Sequence, residues 1–317
     1  MTTSDPPNIS SDPDEPDHSA EPPASQPVAS QPGASRQKPG PGLHIVATPI
    51  GNASDITLRA LDVLREVELI ACEDTRVTGK LLARHGIETP TTAYHDHNAA
   101  KVRPGLLAKL AAGVRIALVS DAGTPLINDP GYRLVRDVVD AGFPVTALPG
   151  PSSIMAALCL AGLPTDRFFF AGFLPPKSGQ RRNELKTLAA IPATLVFLES
   201  AQRLPEALDD LAAVLGGGRP AAMARELTKL YEEVRRGTLD ELAAHYAAAG
   251  PPKGEVVLVI GAPVEAAASE EAIDAALRTA LMQMSVREAA DAVATATGAP
   301  RRQVYTRALA LRADAAR

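Results

Sequence analysis

The stretch Val119-Ser120-Asp121-Ala122-Gly123-Thr124-Pro125-Leu126-Ile127-Asn128-Asp129-Pro130-Gly131 decides the fold. An apolar run, Ile116 to Val119, leads into it, and an apolar-periodic segment begins just after it at Tyr132. Between them lie small and turn-forming residues with two carboxylates. That is the pattern of a buried parallel strand whose C-terminal end opens into a loop before a helix. In open α/β sheets, ligands bind beyond the carboxyl ends of the strands. Glycines there let backbone approach a ligand closely, and prolines fix the path of the loop. A stiff turn with capping aspartates fits the local pattern equally well, so the neighbouring segments must decide.

Outward from this loop the pattern repeats. Leu43 to Thr48 is a short apolar strand followed by Pro49-Ile50-Gly51-Asn52, then a helix from about Thr57 to Arg65. Leu69 to Cys72 is a second buried strand ending in Glu73-Asp74-Thr75-Arg76, with a helix running to His85 and Gly86 as its stop. Thr91 to Tyr94 is a weaker strand ending in His95-Asp96-His97-Asn98, where Asn98 suits a helix cap and Gly113 closes the helix. Arg115 to Ser120 leads into the opening loop, and Tyr132 to Ala141 is a helix stopped by Gly142. Val145 to Leu148 ends in Pro149-Gly150-Pro151-Ser152-Ser153, one serine of which caps a helix through Ala161. Alternating strands and helices predict a mainly parallel sheet covered on both faces. Its five successive strand ends all carry polar or turn residues, which together suit a cleft.

Gly162-Leu163-Pro164 breaks the pattern, and a second α/β segment follows. Its strands are expected near Phe168–Ala171, Thr194–Leu198, Ala221–Ala224, Glu232–Arg236 and Val256–Ile260, and its helices near Gln180–Ala190, Leu204–Leu215 and Leu239–Ala249. Gly216-Gly217-Gly218 has no helix after it to make a phosphate cradle. A small-residue linker, Val264 to Ser269, precedes three helical stretches near 270–284, 286–297 and 301–310. Ser285 and Glu288 have capping-box spacing, and Gly298-Ala299-Pro300 is a tight turn. This end reads as helix-turn-helix-like, with Arg301, Arg302 and Arg307 on its last helix, or else as a small helical cap. The organisation expected is therefore a tail at 1–42, α/β domains at 43–162 and 163–263, and a helical domain at 269–314.

The tail holds ten of the 28 prolines and no aromatic residue, a composition that cannot bury enough surface to order itself. It also carries six acids and two bases, so it accounts for most of the net charge of −5. The remaining 31 acids and 30 bases nearly cancel, and any basic surface must be a local patch. No apolar run approaches the ~20 residues that span a bilayer, and the polar, acidic N-terminus is no secretory signal. Cys72 and Cys159 lie far apart in apolar surroundings and read as reduced, buried thiols of a cytoplasmic protein.

Common nucleotide and nucleophile motifs are missing. There is no GxGxxG fingerprint, no Walker A loop (Gly79-Lys80 is followed by Leu81) and no GxSxG elbow. His95-Asp96-His97 lacks a third ligand of matching kind nearby, so no metal is expected there. Hydrogen bonding or proton transfer fits it better, and a plain capped turn remains open. In Phe173-Leu174-Pro175-Pro176-Lys177-Ser178-Gly179-Gln180-Arg181-Arg182, three cations sit at a helix start, where the dipole is already positive. That cost points to an anionic partner, such as a phosphate.

Taken in order, Ile45 through Asn52, Cys72 through Arg76, His95 through Asn98, Ser120 through Gly131, Leu148 through Pro151, Gly172 through Pro175 and Ala224 through Lys229 resemble the tetrapyrrole methylase fold family. Within it they resemble the methyltransferases that modify the 2′-oxygen of a decoding-region cytidine in 16S rRNA. The resemblance covers about Leu43 to Ala262, and the helical end is similar to that group's C-terminal domain. It implies two α/β domains with S-adenosylmethionine in the cleft between them, and a homodimer. By position, it places Pro49, Asp121, Gly123, Thr124, Ser152, Ser153, Leu227 and Thr228 around the cofactor. The acceptor side would be Asp74, His95, Asp96 and His97, any of which could take the ribose proton. Arg76, Lys177, Arg181, Arg182, Arg301, Arg302 and Arg307 would meet RNA phosphates, with the substrate inside the small ribosomal subunit. The donor sulfonium is already activated, so no metal is needed. Asp129 and Pro130 are read as shaping the loop rather than performing chemistry. The alternatives are a tetrapyrrole or protein side chain as acceptor, and a non-catalytic RNA-binding assembly protein.

Overall fold

The computed structural model describes residues 38–263 and 270–314. The expected tail therefore falls largely, and the linker wholly, outside the described residues. The first sheet contains β1 (Gly42–Val46), β2 (Leu69–Cys72), β3 (Thr91–Ala93), β4 (Arg115–Val119) and β5 (Val145–Leu148) in the order β3-β2-β4-β1-β5. Every pairing in it is parallel. Helices α1 (Leu58–Glu66), α2 (Thr75–Arg84), α3 (Ala99–Ala111), α4 (Tyr132–Asp140) and α5 (Ser153–Ala161) alternate with the strands.

The continuous apolar runs are explained by burial on both faces. Val46, Ile70, Cys72, Ala117 and Val119 pack with Leu61, Leu64 and Leu82 of α1 and α2. Their strand neighbours Leu43, Ile45, Ala71, Ile116 and Leu118 pack with Leu106, Leu110, Leu134 and Val138 of α3 and α4. Thr57, Asp74 and Ser152 cap α1, α2 and α5 by accepting from Ala60 N, Arg76 N and Met155 N.

Three expectations about this half are corrected. The first strand ends at Val46, and Thr48 instead makes an isolated bridge to Gly123. Asn98 does not cap α3 with its side chain; its Oδ1 accepts from His95 N and its Nδ2 donates to Ala93 O, which folds the preceding turn. Cys72 is buried, but Cys159 is exposed, because α5 is apolar on more faces than the chain covers.

The second sheet contains β6 (Phe168–Phe173), β7 (Thr194–Ser200), β8 (Pro220–Arg225), β9 (Glu233–Thr238) and β10 (Glu255–Ile260), ordered β6-β7-β10-β8-β9. Only β6 and β7 run parallel; the other neighbours are antiparallel. One face packs under α6 (Ser178–Leu188), α7 (Leu204–Leu215) and α8 (Leu239–Ala249), through Leu195, Phe197, Met223 and Leu258. The other face, with Val196, Ala222, Ala224, Val257 and Val259, packs against Ile154, Ala157, Leu158 and Ala161 of α5 and against Ile50. The last helix of the parallel half is thus built into the core of the second half. This explains why its sequence, SIMAALCLA, lacks a polar stripe.

At the C-terminal end, α9 (Glu270–Leu281), α10 (Val286–Thr297) and α11 (Arg301–Asp314) share a small core of Ile273, Leu277, Ala290, Val293, Val304 and Ala308. The Ser285/Glu288 capping box is formed, and Gly298 ends α10 in the left-handed conformation.

Candidate active site

A cavity of about 600 Å³ opens between the strand-end loops of the two halves. The first half contributes Asp121 to Thr124, Ile127 to Asp129 and Ser152 to Ile154; the second contributes Leu198 to Gln202 and Gly254 to Val257. The loop after β4 is tied to its neighbours. Thr48 N donates to Gly123 O and Gly123 N donates to Thr48 O, each at 2.9 Å. Thr48 Oγ1 donates to Ser120 O at 3.0 Å, and Thr124 Oγ1 donates to Pro151 O at 3.1 Å. Asp121 Oδ1 accepts from Asp74 N at 3.0 Å, joining the ends of β2 and β4.

Within this frame Leu126 and Asn128 hold φ of 74° and 63°. In the turn after β8, Glu226 and Thr228 hold φ of 50° and 64°. Left-handed non-glycine residues persist only where their surroundings over-determine them, and they gather at functional sites. Of these, Asn128 lines the cavity. Thr228 Oγ1 accepts from Asn52 N at 3.0 Å, stitching the two halves together. Gly51 is required at that seam, since a Cβ there would lie 2.5 Å from Lys229 Cγ and 2.9 Å from Leu227 O.

Of the residues expected at a cofactor, Asp121, Gly123, Thr124, Ser152 and Ser153 line the cavity. Pro49, Leu227 and Thr228 do not. Leu227 is buried beside Ile50 in the core, and Thr228 serves the seam.

The acceptor-side residues separate by chemistry. Asp74 caps α2 and grips Arg76, whose Nη2 lies 2.6 Å from Asp74 Oδ2. Those hydrogen bonds hold its carboxyl down at about 2, which makes it a weak base and occupies the Arg76 charge. His95 has a buried Nδ1 with no hydrogen-bond partner among the described residues, and its ring meets that of His97 edge-on at 6.0 Å. Asp96 and His97 are exposed. Two carboxyls outside the expected set are perturbed the other way. Burial, then Asp121 and Asp96, push Glu73 up. Burial, then the charge of Glu73, push Asp129 up to about 6, against the opposing Ser120 hydroxyl. An acid inside an otherwise turn-forming Asn-Asp-Pro-Gly run gave no sequence signal for this, because the strand order is what brings Glu73 to it.

Of the expected RNA-facing cations, Arg181 needs correction. Arg181 is 1% exposed, and its guanidinium pairs with Asp210 at 2.6 Å. Arg182 pairs with the same carboxylate at 2.5 Å. The anion that offsets cations at this helix start is thus Asp210 of α7, inside the protein. Arg301 pairs with Asp291, and Arg307 joins α11 to α9 through Asp274 and Glu270. Lys177 and Arg302 make no ion pair among the described residues.

A parallel sheet and a largely antiparallel one, locked by a shared helix around an acidic, partly apolar cavity, define a two-lobed α/β enzyme. Residues 42–243 match the model of the tetrapyrrole (corrin/porphyrin) methylases, and residues 266–312 match that of the RsmI C-terminal HTH domain. The chain belongs to the tetrapyrrole methylase family. It is 54% identical over 273 residues to the ribosomal RNA small subunit methyltransferase I of Mesorhizobium japonicum, covering 86% of this chain and 92% of that one. It is 50% identical to the protein of the same name from Escherichia coli O157:H7, covering 84% and 94%. Among solved structures, diphthine synthase shares the fold at 17% identity with a TM-score of 0.54, over 69% of this chain and 89% of that one. Uroporphyrin-III C-methyltransferase from Thermus thermophilus does so at 24% and 0.51, over 69% and 93%.

Proposed function

We propose that this protein uses S-adenosylmethionine to methylate the ribose 2′-oxygen of a cytidine in the decoding region of 16S rRNA, acting on the small ribosomal subunit as a homodimer. The observation that carries this reading is the extent of the match. Relatives named for small-subunit rRNA methylation align at about half identity across nearly their whole length, and the helical end matches that group's own C-terminal domain.

The residues present fit the cofactor. A cavity of about 600 Å³ is within the range that holds ligands of this size. Its carboxylates Asp121 and Glu255 suit a ligand with a sulfonium and an ammonium, while Ile50, Leu198 and Val257 suit its apolar parts. Asp121, Gly123, Thr124, Ser152 and Ser153 are the residues that would hold it. Bound there, the cofactor supplies a methyl group already activated by positive sulfur. The protein's task is then to align the acceptor oxygen, exclude water and take one proton. Positioning of this kind supplies much of the acceleration in a two-substrate reaction.

Exposed apolar groups support the dimer. Met155 and Cys159 stand out from α5, and Phe168 and Phe169 from β6. Strand β5 closes one edge of the first sheet with Thr146 and Ala147 exposed, an edge that proteins normally cover. The experiment incubates undermethylated small subunits with labelled donor, maps the label, and sediments the same enzyme sample. We expect label on one ribose and a particle of twice 33.1 kDa. Label on a base, or none, overturns the activity, and a monomer overturns the dimer.

A further inference from the structure

A second cavity, of about 430 Å³, adjoins the first between the starts of α3 and α4. Its walls include Tyr94, Asp96, Arg103, Tyr132 and Arg133, and it shares a single residue with the first cavity, Asp129. We propose that this second cavity seats the acceptor nucleotide and that Asp129, standing between nucleotide and methyl donor, is the base that takes the 2′-hydroxyl proton. The proposal rests on the methyltransferase reading above.

The wall chemistry suits a nucleotide. The Tyr132 ring is 67% exposed at the start of α4, where it offers a face for base stacking. Arg133 beside it is exposed and makes no ion pair among the described residues, so its charge is available to a phosphate. The remaining walls are fixed. Tyr94 is buried, and Arg103 is held by Asp137 at 2.6 Å.

The rival bases are otherwise engaged or wrongly placed. Asp74 is gripped by Arg76, and Asp121 Oδ1 already accepts from Asp74 N. Glu73 lines neither cavity, and Asp96 lines only the second. At Asp129 the balance closes. The O2′–H bond breaks and its proton passes to the Asp129 carboxylate. The electron pair left on O2′ forms the new O–CH₃ bond, and the C–S pair departs to sulfur, leaving a neutral thioether.

Asp129 faces Glu73 at the end of β2 and Asp121 and Ser120 on its own loop, with Asp96 and Arg103 from the β3–α3 side and Arg133 from α4 sharing its second cavity. Burial and the Glu73 charge place its titration at about 6. A base tuned near the working pH is the most effective. Its ionised, proton-accepting form grows as the pH rises through about 6, so the rate should climb over that range and then level.

The test is single-turnover methylation of small subunits by the full-length enzyme, its Asp129→Asn variant and its Asp129→Glu variant, from pH 5 to 8. General-base loss predicts a fall of roughly 10²–10⁴-fold for Asp129→Asn at neutral pH, with the rise near pH 6 abolished. Asp129→Glu should recover part of the rate and restore a pH-dependent limb. Donor affinity by calorimetry should change little in Asp129→Asn. Tyr132→Ala should raise KM for subunits more than it lowers kcat. A wild-type rate and pH profile in Asp129→Asn overturns the proposal, as does a loss confined to donor binding. Failure of the underlying reading looks different: the unmodified enzyme would itself leave subunits unlabelled.

Discussion

Gly131→Ala is expected to lower the stability of the fold by about 2–4 kcal/mol and to weaken cofactor binding with it. Gly131 precedes α4 with φ 137° and ψ −25°, a region that side-chain-bearing residues occupy only at a cost of roughly 1–3 kcal/mol. The space is also taken. A Cβ would sit 2.9 Å from Leu118 Cδ2 and 3.4 Å from Leu126 Cγ. Leu118 is 1% exposed in the middle of the parallel sheet, so it cannot swing aside, and overpacking such a core costs about 1–3 kcal/mol. Leu126 can yield, but it is one of the two left-handed non-glycine residues of the loop. Its movement would disturb the adjoining Ile127 to Asp129, which line the cavity. Urea unfolding measures the first effect and calorimetry with the donor the second. Gly86→Ala is the control. Gly86 also has a positive φ, 61°, but its Cβ would meet open space, so a loss of about 1 kcal/mol with intact binding is expected. Equal losses at the two glycines would show that the loop relaxes around the extra methyl.

The same loop shows what a sequence can and cannot carry. Buried strands announce themselves as apolar runs, and Ile116 to Val119 was legible as β4 because both its faces are covered. The helix stops at Gly86, Gly113, Gly142 and Gly298 were legible because their left-handed conformations are local demands. A cleft at the strand ends was legible from the pattern, while its wall residues Asp121, Gly123, Thr124, Ser152 and Ser153, which line the cavity, came only through the family resemblance. What failed was pairing between distant segments. Asp210 lies 29 residues from Arg181, and nothing local marks it as that arginine's partner. Glu73 and Asp129 are brought together only because β4 inserts beside β2. Cys159 was misread because apolar neighbours in sequence do not say which face of α5 is covered. The strand directions of the second sheet were equally illegible, since alternation of strands and helices does not distinguish the parallel β6–β7 pair from the antiparallel remainder.

Asp210→Ala should be the most damaging single change in the second half of the molecule, at about 3–5 kcal/mol. It leaves the 1%-exposed Arg181 guanidinium without its carboxylate, and an uncompensated buried charge carries a penalty of that size. The remaining contacts are weak. Carbonyl oxygens of Pro175, Pro176 and Glu206 lie at 3.4–3.5 Å, and the exposed Glu206 carboxylate is at 4.0 Å. Against a typical total stability of about 5–15 kcal/mol, urea unfolding should show a large fall in midpoint. Arg181→Met alone should cost less, because Asp210 keeps Arg182 and the Ser178 hydroxyl. Combining Asp210→Ala with Arg181→Met should recover most of the loss, since an apolar pair of similar volume can replace a buried ion pair at little cost. The same variants separate structural cations from RNA-facing ones. Arg181→Met should leave the salt dependence of subunit binding unchanged, whereas Lys177→Ala should reduce its slope by about 0.7–0.9 if it neutralises one phosphate. If Arg181→Met flattened the slope while leaving the fold intact, that guanidinium would have to leave Asp210 and reach the RNA, and its assignment to the core would be wrong.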